Sequence, residues 1–465
     1  MLGCLLTLGP DMEIDGAKVG CVAFRADRRQ FLQTVVATAA AGCGVPSPEE
    51  TTALGSGDAT ASGETSSGET SSDGAGPGGA GSAETSSSGA ASGETSSGGA
   101  ASGETISDPD GGAGGEGATG AGGTDDNPRP QLVSPLGVAL LGLGSYASGQ
   151  LAPALQLTRH CRLVGIVTGT PSKAPMWQER YGIADKNVYS YENMAELIDN
   201  PDIHVVYIVT PNHVHAQYAI AAARAKKHVW CEKPMAMTSE ECHSIIEACH
   251  ENGVQLCIGY RLQHEPNTQT VIEYASSNPF GAIVEVEARA GFAGYGPGDA
   301  NIWRLKRQMG GGALYDMGVY CINAARYATG EEPTRVSNAR QWTERPELFA
   351  EVDEWTEFDL EFPSGIIAHC RTSFGERLDS LDVRCEAGSY RLEPMQSYNG
   401  VSGEASDGTQ LNQRIENQQA KQMDDDALAI IEQRAVLVPG EEGLRDVRIV
   451  EAIQRSVSTG QPVEL

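Results

Sequence analysis

Basic residues are scarce in this chain of 465 residues. Thirty-three lysines and arginines stand against 62 acidic residues, a formal net charge of −29. That balance argues against nucleic acid or an anionic membrane surface as a partner, since both are polyanions. It suits a protein kept soluble in high salt. Paired cysteines are missing as well: none of the eleven cysteines forms a C-x-x-C pair. Most of those beyond residue 43, such as Cys161, Cys231, Cys257 and Cys370, sit inside apolar runs and read as small buried apolar residues, not as a disulfide framework. Zinc spacing is absent too. His213 and His215 alternate without a third ligand nearby, so no metal site is expected.

The charge is unevenly spread. Residues 1–43 are balanced, with four acids and four bases, whereas 44–130 hold fourteen acids and one arginine. In the first segment Arg28 and Arg29, followed by Phe31 and Leu32, resemble a twin-arginine export signal. The alanine-rich run after them, roughly a dozen residues, is too short to span a bilayer. Ala41-Gly42-Cys43 resembles a lipoprotein cleavage box, in which Cys43 carries the lipid. The expectation for 1–43 is therefore export by the twin-arginine route, with Met1 or Met12 as the start. The protein would then sit on the outer face of the cell membrane through Cys43, or in the periplasm or medium. The plain alternative is a short buried helix after chance arginines.

Residues 44–135 read as a linker. Ser62-Gly63-Glu64-Thr65 recurs at 67–70, 92–95 and 102–105. Almost nothing here can enter a core, so the entropy of ordering is not recovered. A disordered, acidic, self-repelling tether is expected.

From residue 136 the texture changes. Leu136 to Leu141 is a short apolar strand, and Gly142-Leu143-Gly144-Ser145-Tyr146-Ala147 then opens a helix. A dinucleotide loop needs a tight turn, a residue without Cβ near the pyrophosphate, and a small residue for helix packing. Gly142, Gly144 and Ala147 supply these; Ser145 and Tyr146 lie between. A second apolar strand, Leu163 to Val167, ends in Thr168-Gly169-Thr170 with Ser172 and Lys173 beyond. No carboxylate there would repel a 2′-phosphate, while hydroxyls and a lysine can bind one. NADP is expected over NAD. Further strands at His204 to Val209, His228 to Cys231 and Val254 to Gly259 alternate with helices, as in a doubly wound parallel sheet over 136–261. The third of these delivers Tyr260 and Arg261.

Cys231-Glu232-Lys233-Pro234 places a lysine at a strand's carboxyl end, where open α/β sheets bind ligands. The bland reading is a surface pair of Lys233 with Glu232. Thr238, with Glu241 three residues on, caps the helix that follows. After residue 261 apolar and charged residues interleave, as at Phe358, Leu360 and Phe362. That is the mark of antiparallel strands with one wet face. The expected fold is α/β: a Rossmann sheet plus a C-terminal α+β domain, 262–465, with an open, mostly antiparallel sheet. Within it lie Trp303-Arg304 and the run Gly310 to Tyr320. Asp316 and Tyr320, four apart, share a helix face.

The glycine turn, the Glu-Lys-Pro motif and the run GGGALYDMGVY together resemble the Gfo/Idh/MocA oxidoreductases, and the glucose–fructose oxidoreductase branch within them. The resemblance spans roughly 136–465. It implies that the turn Thr210-Pro211-Asn212 with His215 lies near the cofactor; His215 reads equally well as a helix-start residue. It implies that Tyr320 faces Lys233 across a cleft, with Glu232, Arg261, Trp303 and Arg304 as cofactor or sugar contacts. Oxidising a sugar hydroxyl removes a proton as hydride leaves carbon. A tyrosine's reference pKa is about 10, and a lysine cation nearby lowers it. Tyr320 is thus the expected acid/base, Lys233 its tuner and polariser of the oxygen, and Asp316 the residue that orients the sugar. The resemblance also implies a homodimer or tetramer. Export without a supply of free cofactor favours a tightly bound NADP, recycled on a second sugar. Three rivals stand: an aldose dehydrogenase using diffusible NADP, for instance on xylose; a nucleotide-dependent glycoside hydrolase; and a non-enzymatic sensor.

Overall fold

The computed structural model describes residues 133–299 and 301–465. Arg28, Arg29, Cys43 and the 44–130 repeats lie outside the described residues.

A six-stranded parallel sheet forms from β1 (Leu136–Leu141), β2 (Cys161–Val167), β3 (Val188–Tyr189), β4 (Val205–Ile208), β5 (His228–Cys231) and β6 (Leu256–Ile258). Its order is β3-β2-β1-β4-β5-β6, the doubly wound arrangement with β1 beside both β2 and β4. Every residue of β1 is buried, as a strand covered on both faces requires. Helices α1 (Ala174–Tyr181), α2 (His215–Arg224) and α3 (Ser239–Asn252) connect the strands. The cap of α3 forms at Thr238: its Oγ1 accepts from Glu241 N at 3.2 Å. The carboxylate of Glu241 reaches back to Met237 N at 2.9 Å, one residue beyond the usual partner, the N-cap N–H of Thr238.

Helix α4 (Pro266–Ser277) leads into a nine-stranded sheet containing β7 (Ile283–Gly291), β8 (Arg335–Trp342), β9 (Trp355–Glu361), β10 (Ile367–Ser373), β11 (Asp379–Cys385), β12 (Gly388–Leu392), β13 (Gly403–Ala405), β14 (Gln410–Leu411) and β15 (Val463–Glu464). Only the β7–β10 pairing is parallel. One face packs on α5 (Val319–Thr329). The other is wet and covered by cross-strand ion pairs such as Arg384–Glu285 and His369–Asp359. Helix α6 (Gln418–Ile431) returns to the first sheet: Ala420, Met423, Ala427 and Ile430 share a core with Leu136, Val138, Trp230 and Cys257. Helix α7 (Gly440–Thr459) packs on α3 and on β8. The eight cysteines among the described residues are buried free thiols. None of the described helices is long and apolar enough to cross a membrane.

Candidate active site

The carboxyl ends of β1, β2, β4 and β5 open onto a cleft of about 1140 Å³ shared with the second sheet. Gly142 has φ +97°, and a Cβ on it would lie 2.5 Å from Val209 O. At Gly144 a Cβ would meet no atom within 4 Å, so the loop lies open to the cleft. Ser145 and Tyr146 follow on the cleft wall, and Ala147 is fully buried where a short π-helical turn, Ala147–Leu151, starts. At the end of β2, Thr168 Oγ1 accepts from Thr170 N at 3.1 Å. Lys173 Nζ donates to Leu143 O at 2.8 Å, which brings the lysine to the glycine loop. Three buried polar atoms of cleft residues, Thr210 Oγ1, Arg261 Nε and Gln396 Oε1, have no partner in the protein. A glycine cradle, a lysine at its rim and the orphaned Thr210 hydroxyl fit a dinucleotide.

The turn at Pro211 is braced, not free. Asn212 Nδ2 donates to Gly310 O at 2.8 Å, and Gly310 (φ +76°) leaves no room for a Cβ, which would stand 2.7 Å from Asn212 Cβ. His215 is fully buried. Its Nδ1 lies 2.9 Å from Pro234 O and its Nε2 2.8 Å from Thr210 O. Both ring nitrogens are thus engaged by carbonyls, and the ring pins the Pro211 turn to the segment that carries Lys233. Burial holds its pKa below the usual histidine value.

At the reacting end β5 delivers Glu232 and Lys233. Glu232 is buried, and Oε1 accepts from Tyr207 OH at 2.8 Å. Burial lifts its carboxyl to about 6 against the pull of its hydrogen bonds and nearby cations. Lys233 Nζ donates to Asp316 O at 2.7 Å and lies 3.3 Å from Asp316 Oδ1; Arg304 Nε donates to Oδ2 at 2.9 Å. Burial alone would raise the Asp316 carboxyl, but Arg304 and Lys233 hold it at about 2. Burial works against the Lys233 charge, yet Tyr320 and Asp316 leave its pKa raised. Lys233 Nζ stands 4.6 Å from the centre of the Tyr320 ring. Arg304 also lies over Trp303, at 4.4 Å. Asp316 and Tyr320 do line one cleft, but by a different route from an α-helix: Leu314–Gly318 is a π-helical turn that runs into α5.

Three contributors are absent from the sequence reading. Tyr207 lies mid-strand in the fully buried β4, where its hydroxyl supports Glu232. Tyr398, from the β12–β13 connection, stacks on Arg261 at 4.3 Å and approaches Tyr146 at 6.1 Å between ring centres. Gln418, at the start of α6, accepts from Arg261 Nη1. Only the unusual tyrosine in the apolar run VVYI carried any local signal.

A family model described as "Oxidoreductase family, NAD-binding Rossmann fold" matches residues 136–260, and the Gfo/Idh/MocA C-terminal domain model matches 268–391. The chain belongs to the Gfo/Idh/MocA oxidoreductases. Membership makes it an NAD(P)-dependent oxidoreductase. Among similar proteins is the D-xylose 1-dehydrogenase [NADP(+)] of Haloarcula marismortui, 28% identical over 71% of this chain and 94% of that protein. The D-glucoside 3-dehydrogenase of Escherichia coli is 27% identical over 71% of this chain and 98% of its own length. Among solved structures, the aldose-aldose oxidoreductase of Caulobacter crescentus, complexed with glycerol, is 38% identical with a TM-score of 0.68. It covers 71% of this chain and 99% of that one.

Proposed function

We propose that this Gfo/Idh/MocA protein is an NADP-dependent sugar oxidoreductase that regenerates a retained cofactor on a second sugar. The observation that carries the chemistry is the chain Arg304–Asp316–Lys233 set against the Tyr320 ring, in the cleft that Lys173 also lines. A bound nicotinamide would supply the hydride acceptor for the sugar carbon. Tyr320 takes the hydroxyl proton, and Lys233 steadies the oxygen as the carbonyl forms. Asp316, with both oxygens facing cations, acts first by holding Lys233 and Arg304 in place. Thr168, Thr170 and Lys173, with no carboxylate at the end of β2, support the 2′-phosphate. The Caulobacter relative, an aldose-aldose oxidoreductase, favours the two-sugar cycle. The Haloarcula relative favours the second reading, a dehydrogenase using diffusible NADP. On the first reading Arg28 and Arg29 direct export of the folded, loaded enzyme, and Cys43 anchors it.

The test is the absorbance spectrum of protein purified without added nucleotide, before and after glucose. A reduced-nicotinamide band that a second sugar erases supports the cycle. Turnover only with added NADP replaces it with the dehydrogenase. No redox signal with any sugar sinks both.

A further inference from the structure

Arg261 is an anomaly in the charge pattern of the cleft. It is 3% exposed, the first residue of the short 3₁₀ turn Arg261–His264 after β6. Lys233 and Arg304 share the Asp316 carboxylate, whereas among the described residues Arg261 has no ion pair. Its Nη1 donates to the Gln418 amide oxygen, its Nη2 to Gln396 O, and its Nε to nothing in the protein. A buried cation held only by neutral acceptors is unfavourable unless something else supplies the counter-charge.

What faces it is phenolic. The guanidinium carbon stands 4.3 Å from the Tyr398 ring centre and 5.8 Å from that of Tyr320, and Tyr146 adds a third phenol nearby. Glu232 and Asp379 feel the charge through space, but each is engaged elsewhere. Glu232 accepts from Tyr207 OH, and Asp379 accepts from the main-chain N–H groups of Met395 and Gln396. The titratable groups around Tyr320 are therefore Lys233 from β5, Asp316 from the π-helical turn, Arg261 from beyond β6, Tyr398 from the β12–β13 connection, and Tyr146 with Glu232 from the nucleotide side.

We propose that Arg261 is a second cation acting on Tyr320: it stabilises the phenolate form in which Tyr320 accepts the sugar's proton. In that step the hydroxyl proton passes to the phenolate oxygen, hydride leaves the same carbon for the nicotinamide, and the carbonyl forms. Arg261 acts through Tyr320, whose side chain it meets; it is an electrostatic positioning residue. The inference rests on the reading of Tyr320 as the acid/base.

Two variants of the full chain test it. Arg261→Gln removes the charge. Gln418→Glu leaves the arginine in place but sets a carboxylate against Nη1, which neutralises it and spares the fold. With Tyr320 as the base, the proposal sets a limb of the sugar-oxidation rate that rises with pH. Loss of a cation within this range moves that limb to higher pH by about one unit. In both variants the limb is expected to move up, while the affinity for NADPH, read by fluorescence titration, stays within about twofold (roughly 0.4 kcal/mol). An unmoved limb in a folded variant overturns the proposal. If Arg261→Gln does not fold, Gln418→Glu decides. An unmoved limb with NADPH bound tenfold more weakly assigns Arg261 to the cofactor instead. Tyr320→Phe separates the layers: full turnover removes the acid/base reading, and this inference with it. A dead Tyr320→Phe with unmoved limbs removes this inference alone.

Discussion

Lys233 Nζ sits 2.7 Å from the main-chain carbonyl of Asp316 and 3.3 Å from its carboxylate Oδ1. The two residues come from different sheets' territory, one at the end of β5 and the other 83 residues later in the turn before α5. Both residues line the cleft. Replacing Lys233 with Met is expected to cut kcat by about 10²-fold or more, within the range for removal of a positioned proton-handling group. NADPH binding should be largely kept. A kcat within threefold of the parent would remove Lys233 from the chemistry.

Lys173 tests cofactor choice. Its Nζ already donates to Leu143 O, so the side chain braces the glycine loop whatever else it does. If it also meets a 2′-phosphate, Lys173→Ala should lower kcat/KM with NADP by about tenfold, the size of one charge-assisted contact, and leave NAD nearly unchanged. Equal loss with both nucleotides would leave only the brace.

Asp426 is fully buried on α6, where neither carboxylate oxygen has a well-aligned hydrogen bond and only Cys257 and Gln422 approach as weak partners. Burial raises its carboxyl to about 6 from 3.8. A carboxyl whose folded value is raised binds its proton more tightly when folded. Its contribution is therefore fully present below pH 3.8 and is lost as pH rises through about 6. Asp426→Asn should then stabilise the protein at pH 7 by about 1–3 kcal/mol and change little at pH 4, read as thermal midpoints at the two pH values. Destabilisation at pH 7 would mean that the charge has a partner in solution.

Arg326 tests the support of the helix that carries Tyr320. On α5, two turns beyond Tyr320, it bonds Asp446 at 2.9 Å, Glu442 at 2.7 Å and Glu332 at 2.7 Å, and its side chain is 3% exposed. Arg326→Met strands buried carboxylates on α7, so a loss of about 3–5 kcal/mol is expected by denaturant titration. A loss below 1 kcal/mol would show the network to be dispensable.

What could be read from the chain and what could not divide along a physical line. Gly142 was legible because a turn with positive φ and Val209 O close by demands a residue without Cβ; Gly144 was legible from its spacing to Gly142 alone. The parallel strands announced themselves as short, wholly apolar runs, and the second sheet as alternation at Phe358, Leu360 and Phe362. The capping of α3 was legible because it is local. The partners of Arg261 were not: Gln396 and Gln418 arrive from 135 and 157 residues away. The engagement of both Asp316 oxygens was equally hidden, since only folding brings Lys233 and Arg304 to one carboxylate. The π-helical turn at Leu314–Gly318 escaped because spacing alone does not tell one helical hand-off from another.

Helix α6 carries a consequence for anyone who would recombine this enzyme with its relatives. Its apolar side lies under the parallel sheet, while Gln418 touches Arg261 and Gln422 donates to Tyr207 OH at 3.3 Å. The nucleotide-binding unit is therefore discontinuous in the chain. A chimera joined at a single crossover near residue 261 would graft one protein's sheet onto another's underside. A working exchange needs two crossovers, with α6 travelling alongside the sheet it supports.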